Sequence, residues 1–510
     1  MSIKELKTTS TVANHTGRAP TRRPAKIVMD FVWRPFSAEL RWVTVLALVA
    51  AVAYSALSIQ RFIRFRSAGY DLGIFDQVVR QYSQFAPPYS QIKGPGFNIF
   101  GDHFHPIIAV LAPLYWVWDD PRMLGIAMAC LLAASVFPVY LFAKPRLGRG
   151  PAFLVGAGYL FWWPVQGLVA FDFHEIAFGV PLVAWLIYAL DKRSYRAVGA
   201  LCVALLCVRE DMGFVVMAVA LIILARCHWR LGASLFALGL GGYLLITGVV
   251  IPHFNADNSF GYWQYAELGP TLMAAAAFIL AHPLRTVGML FNNETKQLLW
   301  GALLFPLGLL SLGSAYLLLA APILLSRLLS DRPGTWSTAF QYNAILAPIL
   351  VLAAVDMLGK LTRRGGRLAG LRTAAPVVFL AGVVAGTLLL PALFPLHQLF
   401  TATAWSETAH MRAQQRIVQM VPSGVVVEAD DRLVPHLSNR ATVGMIGRQP
   451  ETATWAIVDL SQKDTGGGGD GNFTPKSALE LLASKGFVEV HREDAVVLLQ
   501  RPAATSSSRS

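Results

Sequence analysis

Two carboxylates in a polar segment, residues 61–106, are the first candidates for chemistry in this chain. Asp71 and Asp76 lie five positions apart in YDLGIFDQ, shortly after the first long apolar run. A carboxylate near an apolar membrane face has a raised pKa and can take a proton from an attacking hydroxyl. We therefore predict that at least one of the two is a catalytic base or a metal ligand. The alternative is a role in capping a helix or folding the loop.

Three arginines, Arg61, Arg64 and Arg66, open the same segment. A guanidinium group matches the oxygens of a phosphate through paired hydrogen bonds. These arginines are therefore candidate phosphate ligands, and the alternative is ordinary contact with lipid headgroups.

The end of the segment, GDHFHP, carries Asp102, His103 and His105. Carboxylate and imidazole groups bind divalent ions, so Asp102 and His103 are candidate ligands for Mg²⁺ or Mn²⁺, or for a metal bound to a diphosphate. A His-x-His spacing is weakly specific, and a hydrogen-bonded turn before Pro106 is the alternative. The metal requirement is left open.

Two further polar clusters lie between apolar runs: Asp172, His174 and Glu175 in FDFHEI, and Arg209, Glu210 and Asp211 in RED. Ionisable groups at membrane depth are costly and are usually functional or paired. A structural pair of Arg209 with Glu210 or with Asp172 is the alternative. We predict that all four clusters converge on one pocket for a polar, phosphorylated ligand presented from the lipid.

The composition places these clusters in a membrane protein. The chain has 510 residues, is 55% hydrophobic, has a mean hydropathy of +0.50 and is only 14% charged, whereas a soluble protein carries about 25% charge. The net charge of +13 comes mainly from an N-terminal tail and short loops, so we expect no nucleic-acid partner. Phosphate-binding loops and dinucleotide fingerprints are not evident in the sequence.

The expected fold is an all-α polytopic membrane protein with about eleven transmembrane helices. The predicted spans are 42–60, 122–143, 151–169, 177–190, 197–208, 212–226, 231–251, 297–311, 314–329, 344–359 and 374–393. A helix at 107–118 is too short to cross and is expected to lie at the interface. The uncharged run 298–326 would be about 40 Å long as one helix, so we split it into a hairpin at 311–314.

Charge in the short loops predicts the orientation. Basic loops at 144–149, 192–196, 226–230 and 360–372 fall on the side of the N-terminal tail, which makes that side cytoplasmic. We therefore expect a multi-pass protein of the bacterial inner membrane, with the N-terminus inside, the C-terminus outside and the active site on the extracytoplasmic face.

The predicted domains follow from this orientation. They are a disordered cytoplasmic tail 1–41, a transmembrane domain 42–393 with outer loops 61–121 and 252–296, an extracytoplasmic α/β domain 394–501, and a disordered tail 502–510.

Six motifs carry a family resemblance: YDLGIFDQ, GDHFHPI, DFHEIAF, REDMG, LLLAAPILLSRLLSDRPG and QYNAILAP. They resemble an uncharacterised, domain-of-unknown-function family of bacterial and archaeal membrane proteins that is similar to the GT-C glycosyltransferases, such as protein mannosyltransferases and aminoarabinose transferases. The resemblance covers about residues 42–360 and extends weakly to VPHLSNR near Val434.

This resemblance implies a GT-C-like fold and an inverting transfer from a polyprenyl-phosphate-linked sugar. It makes Asp71 the first and Asp76 the second candidate base, with the donor phosphate at Arg61, Arg64, Arg66 or Arg209. The substrate-binding candidates are Asp102, His103, His105, Asp172, His174, Glu175, Glu210, Asp211 and Tyr342. The sequence departs from the pattern because its acids are not an adjacent pair, and Gln341-Tyr342 stands where His-Tyr is expected.

The predicted activity is thus a hexosyl- or pentosyltransferase, for example of arabinose or mannose, that works in cell-envelope biogenesis. Its partners would be membrane lipids, the lipid-linked donor and an envelope glycan, lipid or protein acceptor. Two alternatives remain, a transporter or flippase of a lipid-linked or acidic solute and a non-catalytic envelope scaffold.

Overall fold

The computed structural model describes residues 40–363, 365–448, 452–466 and 473–502. The predicted disorder of the tails 1–41 and 502–510, and of the segment 466–469, falls outside these residues except at their boundaries.

Most of the described chain is helical. In chain order the α-helices are α1 (Leu40–Ile63), α2 (Ile74–Ser83), α3 (Ala112–Tyr115), α4 (Arg122–Ala134), α5 (Val136–Leu147), α6 (Arg149–Leu160), α7 (Trp163–Val169), α8 (Ile176–Asp191), α9 (Tyr195–Leu206), α10 (Met212–Ala225), α11 (Trp229–Leu245), α12 (Ile251–Phe254), α13 (Leu272–Ala281), α14 (Pro283–Met289), α15 (Glu294–Leu304), α16 (Ala320–Leu328), α17 (Leu346–Arg363), α18 (Leu371–Leu389), α19 (Ala402–Trp405), α20 (Ala409–Met420) and α21 (Pro475–Ser484).

Five helical stretches among the described residues are long and apolar enough to cross a membrane: Leu40–Ile63, Arg122–Leu147, Trp229–Phe254, Gln341–Arg363 and Gly366–Leu389. The bent pairs α6–α7 and α13–α14 raise the number to 7 if each is one span, and shorter apolar helices, including α8, α9 and α10, pack among them. The count of eleven spans and the orientation stay predictions.

The α-helix is interrupted where the uncharged run 298–326 was predicted to form a hairpin. Leu309 has a left-handed backbone, and short 3-10 turns replace the α-helix at Leu310–Gly313 and Ala315–Leu319. The Ser311 hydroxyl donates to the Leu350 carbonyl (2.9 Å), and the Ser314 hydroxyl donates to Asp356 (2.8 Å). These bonds satisfy the polar groups of the break against α17, which a turn buried among apolar helices requires.

Ion pairs mark one end of the bundle. The Arg146 guanidinium contacts Asp191 and lies 3.7 Å from Asp356, which also pairs with Lys360. The connection 170–175 lies at the opposite end of α8, and the connections 64–106 and 207–211 pack on it and on each other there. These three polar connections therefore meet at one end of the bundle.

The predicted interface helix is present in a shortened form. A 3-10 turn, Pro106–Leu111, runs into α3, and the side chains of Trp116 and Val117 beyond it are 62% and 83% exposed. Tyr115 is buried and donates its hydroxyl to Asp76 in α2 (2.7 Å). The Trp116 indole N–H also donates to the Ser83 carbonyl (2.8 Å). The segment thus shows apolar groups outward while polar bonds hold it to α2.

The C-terminal residues form a five-stranded sheet of order β2-β1-β3-β5-β4, as the strand patterns predict. The strands are β1 (Val426–Ala429), β2 (Thr442–Met445), β3 (Trp455–Asp459), β4 (Val488–Glu493) and β5 (Val496–Gln500). β1 is parallel to β2 and β3, and β5 is antiparallel to β3 and β4. This domain packs on the loop end of the bundle: Gln77 donates to the Val443 carbonyl (2.8 Å), and the His436 ring stacks on Phe65 at 3.9 Å.

Candidate active site

A cavity of about 430 Å³ opens at the loop end of the helix bundle. Its walls come from the first loop, the turns before α8 and α10, the segment 260–265 and the segment 323–345. Ten of the predicted site residues line it: Asp71, Asp102, His103, His105, His174, Glu175, Arg209, Glu210, Asp211 and Tyr342. The predicted convergence of the polar clusters on one pocket therefore holds for these residues.

Two other carboxylates hold the backbone that presents Asp71. Asp71 lies in a π-helical turn, Gly69–Gly73, just before α2. The Asp172 carboxylate accepts the N–H of Ala68 (3.0 Å), and Asp431 accepts the N–H of Gly69 on its carbonyl and that of Tyr70 on its carboxylate (both 2.7 Å). Consecutive donors at the start of a helical turn lack partners within the turn, so these acids fix where the Asp71 side chain begins.

Asp172 is therefore a positioning group and does not line the cavity. It is 4% exposed, accepts from the Ser67 hydroxyl at 2.8 Å and lies 4.0 Å from Arg61. Its φ of +115° is a strained conformation for a residue with a side chain, and such strain persists where surrounding contacts determine it. Burial raises the pKa of Asp172 to about 6.

The carboxylate of Asp71 is a suitable proton acceptor. Burial raises its pKa to about 8, and the nearby carboxylates of Asp172, Asp431 and Glu175 add to the rise. The Nε2 atom of His174 lies 3.5 Å from the Asp71 carboxylate. Burial lowers the pKa of His174 to about 3, so its imidazole is neutral and leaves the proton-accepting capacity of Asp71 available.

The remaining acids of the cavity are paired. His103 Nδ1 lies 2.7 Å from Glu210, and Glu210 also accepts the N–H of Phe104 (3.2 Å). Burial opposes the charge on His103, but Glu210 outweighs it and raises the pKa of His103 to about 9. Asp102 accepts from Tyr262 and lies 3.1 Å from the Lys93 ammonium.

Arg209 is paired with two carboxylates that differ from the expected ones. Its guanidinium binds Asp211 at 2.8 and 2.5 Å and lies 3.4 Å from Glu175. The predicted alternatives, an ion pair of Arg209 with Glu210 or with Asp172, are not formed. Its positive charge is therefore largely balanced before any ligand binds.

The metal hypothesis for Asp102 and His103 gains no support from the arrangement of side chains. Within the described part of the chain, no three His, Cys, Asp or Glu side chains are grouped so as to hold an ion. Asp102 faces a lysine and a tyrosine hydroxyl, which are donors, and His103 is turned towards Glu210. The neighbouring His105 is 2% exposed, and its Nδ1 lacks a hydrogen-bond partner among the described residues.

Asp76, the second candidate base, does not line the cavity. It is fully buried, accepts from Arg80 at 2.7 and 3.0 Å, and accepts from the Tyr115 hydroxyl. Arg80 also binds Asp119 (2.8 Å) and the Ser438 carbonyl (2.7 Å). The spacing of five places Asp76 on the side of α2 that packs away from Asp71.

Arg61, Arg64 and Arg66 also lie outside the cavity lining. Arg64 donates to the Ser406 carbonyl (2.6 Å), and Arg66 donates to Gln398 (3.4 Å). Arg61 lies behind the first loop, next to Asp172. Arg64 and Arg66 tie the end of α1 to the connection before the C-terminal domain, whereas Arg61 contacts Asp172. The three predicted phosphate ligands of the first loop therefore do not face the cavity.

Sequence reasoning missed two other arginines that line the cavity, Arg327 and Arg332. Both lie in the quoted run LLLAAPILLSRLLSDRPG, but no role was assigned to them. Arg327 is 6% exposed and donates to the carbonyls of Thr335 (2.8 Å) and Tyr342 (3.1 Å), so it holds the segment 327–343 in a hairpin. The Arg332 side chain is exposed and makes no ion pair with any described residue.

Aromatic side chains from the second predicted outer loop were also missed. From this loop the cavity is lined by Phe260, Tyr262, Trp263 and Tyr265, and other parts of the chain add Tyr70, Phe75, Phe171, Phe214, Tyr243 and Phe340. Tyr262 stacks on His103 with ring centroids 4.1 Å apart. The same loop continues into helices α13 and α14, but the cavity wall comes from the stretch before them.

The fold places this chain in a known structural class. It resembles the crystal structure of ArnT from Cupriavidus metallidurans bound to undecaprenyl phosphate, with a TM-score of 0.53, 14% identity, and coverage of 92% of this chain and 99% of that chain. The structure of the same ArnT in the apo state gives a TM-score of 0.48 and 15% identity, covering 91% and 99%. The predicted relation to the GT-C fold is confirmed.

The sequence itself identifies the family. The chain belongs to the family described as predicted membrane protein (DUF2079), which matches residues 61–465. It is therefore a multi-pass membrane protein with an ArnT-like fold. No curated protein gives a significant match.

Proposed function

We propose that this protein transfers a sugar from a polyprenyl-phosphate donor to a hydroxyl of an envelope acceptor, with Asp71 as the general base. The proposal rests on which charged side chains of the cavity lack a partner of opposite charge. Asp71 is a carboxylate with a raised pKa and no strong hydrogen-bond donor, and it shares the cavity with Arg332, a cation without a carboxylate partner among the described residues.

Arg332 replaces the first-loop arginines as the donor-phosphate ligand in this proposal. The positive charge of Arg332 acts on Asp71 across the cavity and lowers the carboxyl's pKa, although burial and the other acids outweigh it. An exposed guanidinium without a partner keeps its donors for a phosphate. Arg209 contributes less because Asp211 and Glu175 already occupy it.

The reaction then follows from the placement of these groups. The acceptor oxygen attacks the anomeric carbon and loses its proton to Asp71, while the bond from that carbon to the phosphate oxygen breaks. Arg332 stabilises the negative charge that grows on the leaving polyprenyl phosphate. The neutral His174 beside Asp71 orients the carboxylate without adding a competing charge. Because the acceptor attacks from the face opposite the leaving phosphate, the configuration at the anomeric carbon is inverted.

Aromatic and paired polar groups fit the sugar of such a donor. The rings of Tyr262, Trp263 and Tyr265 offer flat apolar faces, and Lys93 with Asp102 offers a donor and an acceptor side by side. Pockets of this kind orient a ligand with a few fixed polar groups among apolar walls. We therefore assign the sugar to this part of the cavity, whether it is a hexose or a pentose.

The membrane placement belongs to the same proposal. The Arg146 end of the bundle carries the basic loops and would face the cytoplasm, which puts the cavity and the C-terminal domain on the extracytoplasmic face of the bacterial inner membrane. The structurally similar ArnT was crystallised with undecaprenyl phosphate, and a lipid carrier of that chemistry would reach this cavity from the bilayer.

Purified protein reconstituted in sealed liposomes, supplied with radiolabelled polyprenyl-phosphate sugars and envelope extracts, tests the proposal. We expect transfer by the wild type and a loss of about 10²- to 10⁴-fold for Asp71→Asn. Asp257→Asn, the same change at an exposed acid in the predicted second outer loop, is the matched control and should retain activity. Full activity of Asp71→Asn contradicts the assignment, and movement of the intact donor across the bilayer without transfer favours a flippase.

A further inference from the structure

A second cavity, of about 430 Å³, lies in the C-terminal domain and is separate from the cavity that holds Asp71. It is lined by Asp430, Asp431, Arg432, Ser461, Gln462, Lys463, Asp464, Thr465 and Gly466. We call it the sheet-edge crevice. Every lining residue is polar or glycine, so the crevice is built for hydrogen bonding.

The sheet topology explains why a crevice forms here. Residues 430–432 follow β1 and residues 461–466 follow β3, and these two strands are parallel neighbours. The chain leaves β1 towards β2 on one side and leaves β3 towards β5 on the other. Connections that diverge from neighbouring parallel strands leave an opening at their carboxyl ends, which is where open α/β sheets bind ligands.

A buried carboxylate in the crevice wall has an empty position. Asp430 is 2% exposed; one of its oxygens accepts the N–H of Asp459, and the other has no partner among the described residues. The neighbouring Asp459 is satisfied by contrast, because Gln414 (2.9 Å) and the Ser461 hydroxyl (2.7 Å) donate to it. A buried oxygen without a donor is costly, so a donor brought to Asp430 by a small local movement of the crevice wall would be favourable.

The charges in the crevice discriminate between classes of ligand. A phosphate only accepts hydrogen bonds and would face the acids Asp430, Asp431 and Asp464. A metal ion would face Arg432 and Lys463, which make no ion pair with the described residues, and no three acids here are grouped to hold one. A sugar hydroxyl donates and accepts at once, so it can use carboxylates, amide and cations together.

We propose that the sheet-edge crevice binds the hydroxyls of a neutral glycan. One residue connects the crevice with the first cavity. Asp431 lines the crevice, and it accepts the N–H groups of Gly69 and Tyr70 directly before Asp71. A glycan bound there would lie one residue from the wall of the active site. The binding of this glycan is independent of the proposed function. Its role as the acceptor rests on the proposed function.

Saturation-transfer NMR on the full-length protein in nanodiscs tests the proposal without any donor present. The probes are mannotetraose, arabinotetraose, maltotetraose and cellotetraose. We expect at least one to bind, and Asp430→Asn and the exposed variant Asp464→Asn to weaken it about tenfold. Among the described residues Asp464 accepts only the N–H of Gly466 (3.0 Å), which asparagine can also do, so this variant should fold. Glu480→Gln, on α21 outside the crevice, is the matched control and should bind normally.

The outcomes separate this proposal from the proposed function. Absence of binding by all four probes, equal binding by both Asp variants and the wild type, or displacement by inorganic phosphate or Mg²⁺ would overturn it. Asp71→Asn should retain the binding, since Asp71 does not line the crevice. If the wild-type protein binds a glycan but transfers no sugar, the enzyme assignment is wrong and the glycan site is retained.

Discussion

The Asp431 carboxylate accepts the backbone N–H of Tyr70 at a distance of 2.7 Å, although the two residues are 361 positions apart. The Asp431 carbonyl accepts the N–H of Gly69 at the same distance. The turn that presents Asp71 is therefore shaped by the C-terminal domain as well as by its own helix. This contact makes the position of the proposed base sensitive to changes that lie outside its cavity.

Gly69→Ala should disturb this contact. A Cβ atom at position 69 would lie 2.6 Å from the Val434 Cβ and 2.9 Å from the Asp431 carbonyl oxygen, so the two segments must separate. We expect a loss of about 1–3 kcal/mol in stability and at least a tenfold fall in sugar transfer. Thermal melting and the transfer assay measure the two effects. Gly199→Ala, where nothing lies within 4 Å of the new atom, should behave as the wild type. A fully active Gly69→Ala protein would show that the contact is dispensable.

The pH dependence of transfer should report the base. Burial and three neighbouring acids raise the pKa of Asp71 to about 8, and only the ionised carboxylate accepts a proton. We therefore expect kcat/KM to rise with pH and to reach half of its plateau near pH 8. A profile that is flat between about pH 6 and 9 would exclude Asp71 as the base.

Stability should change with pH in the opposite direction. The pKa of Asp71 is higher in the folded protein than its ordinary value of 3.8, so the folded state binds more protons than the unfolded state between these values. The favourable contribution is complete below about pH 4 and is lost as pH rises through about 8. Asp71→Asn should weaken this decline in melting temperature. An unchanged slope of melting temperature against pH would contradict the raised pKa.

Asp76→Asn should damage stability instead of chemistry. The Asp76–Arg80 ion pair is buried. Removing one partner of a buried ion pair lowers the free energy of unfolding by about 3 kcal/mol. Folded protein at low temperature should still transfer sugar. Asp119→Asn removes the other carboxylate partner of Arg80. Because the Asp119 side chain is 48% exposed, this change should cost less than about 1 kcal/mol. If Asp76→Asn melted normally but lost all activity, Asp76 would return as the candidate base.

Arg332→Gln should raise the KM for the lipid-linked donor by about tenfold, because a hydrogen bond to a charged phosphate is lost. Initial rates against donor concentration measure the effect. Arg66→Gln is the matched control, since Arg66 contacts Gln398 away from the cavity. An increase in KM for Arg66→Gln alone would favour the first-loop arginines as the phosphate ligands.

The sequence was most informative where a pattern is local. Apolar runs indicated a helical membrane protein, the change of pattern after residue 394 indicated an α/β segment, and the lack of charge around residues 311–314 indicated the break that the structure shows. The clusters at 102–105, 172–175 and 209–211 pointed to one pocket because each lies between apolar runs on the same predicted side. Such features depend on neighbours in the chain, which the sequence displays directly.

Partners across the fold were not predictable in the same way. Spacing alone could not show that Asp76 turns towards Arg80 and Tyr115, or that Arg64 and Arg66 face the connection after α18. Arg332 was overlooked because its significance lies in the lack of a partner, which only the packed structure reveals. Asp431 follows a strand in EADD, and that position at a strand end was the available signal.

The long-range bond between Tyr70 and Asp431 also has a consequence for biosynthesis. The ribosome makes the first loop early, but Asp431, which binds the N–H groups of Gly69 and Tyr70, follows α18 in the chain. A chain that ended before Asp431 would therefore carry Asp71 on a turn that lacks this restraint. Any activity that depends on this turn would begin only after translation has passed Asp431.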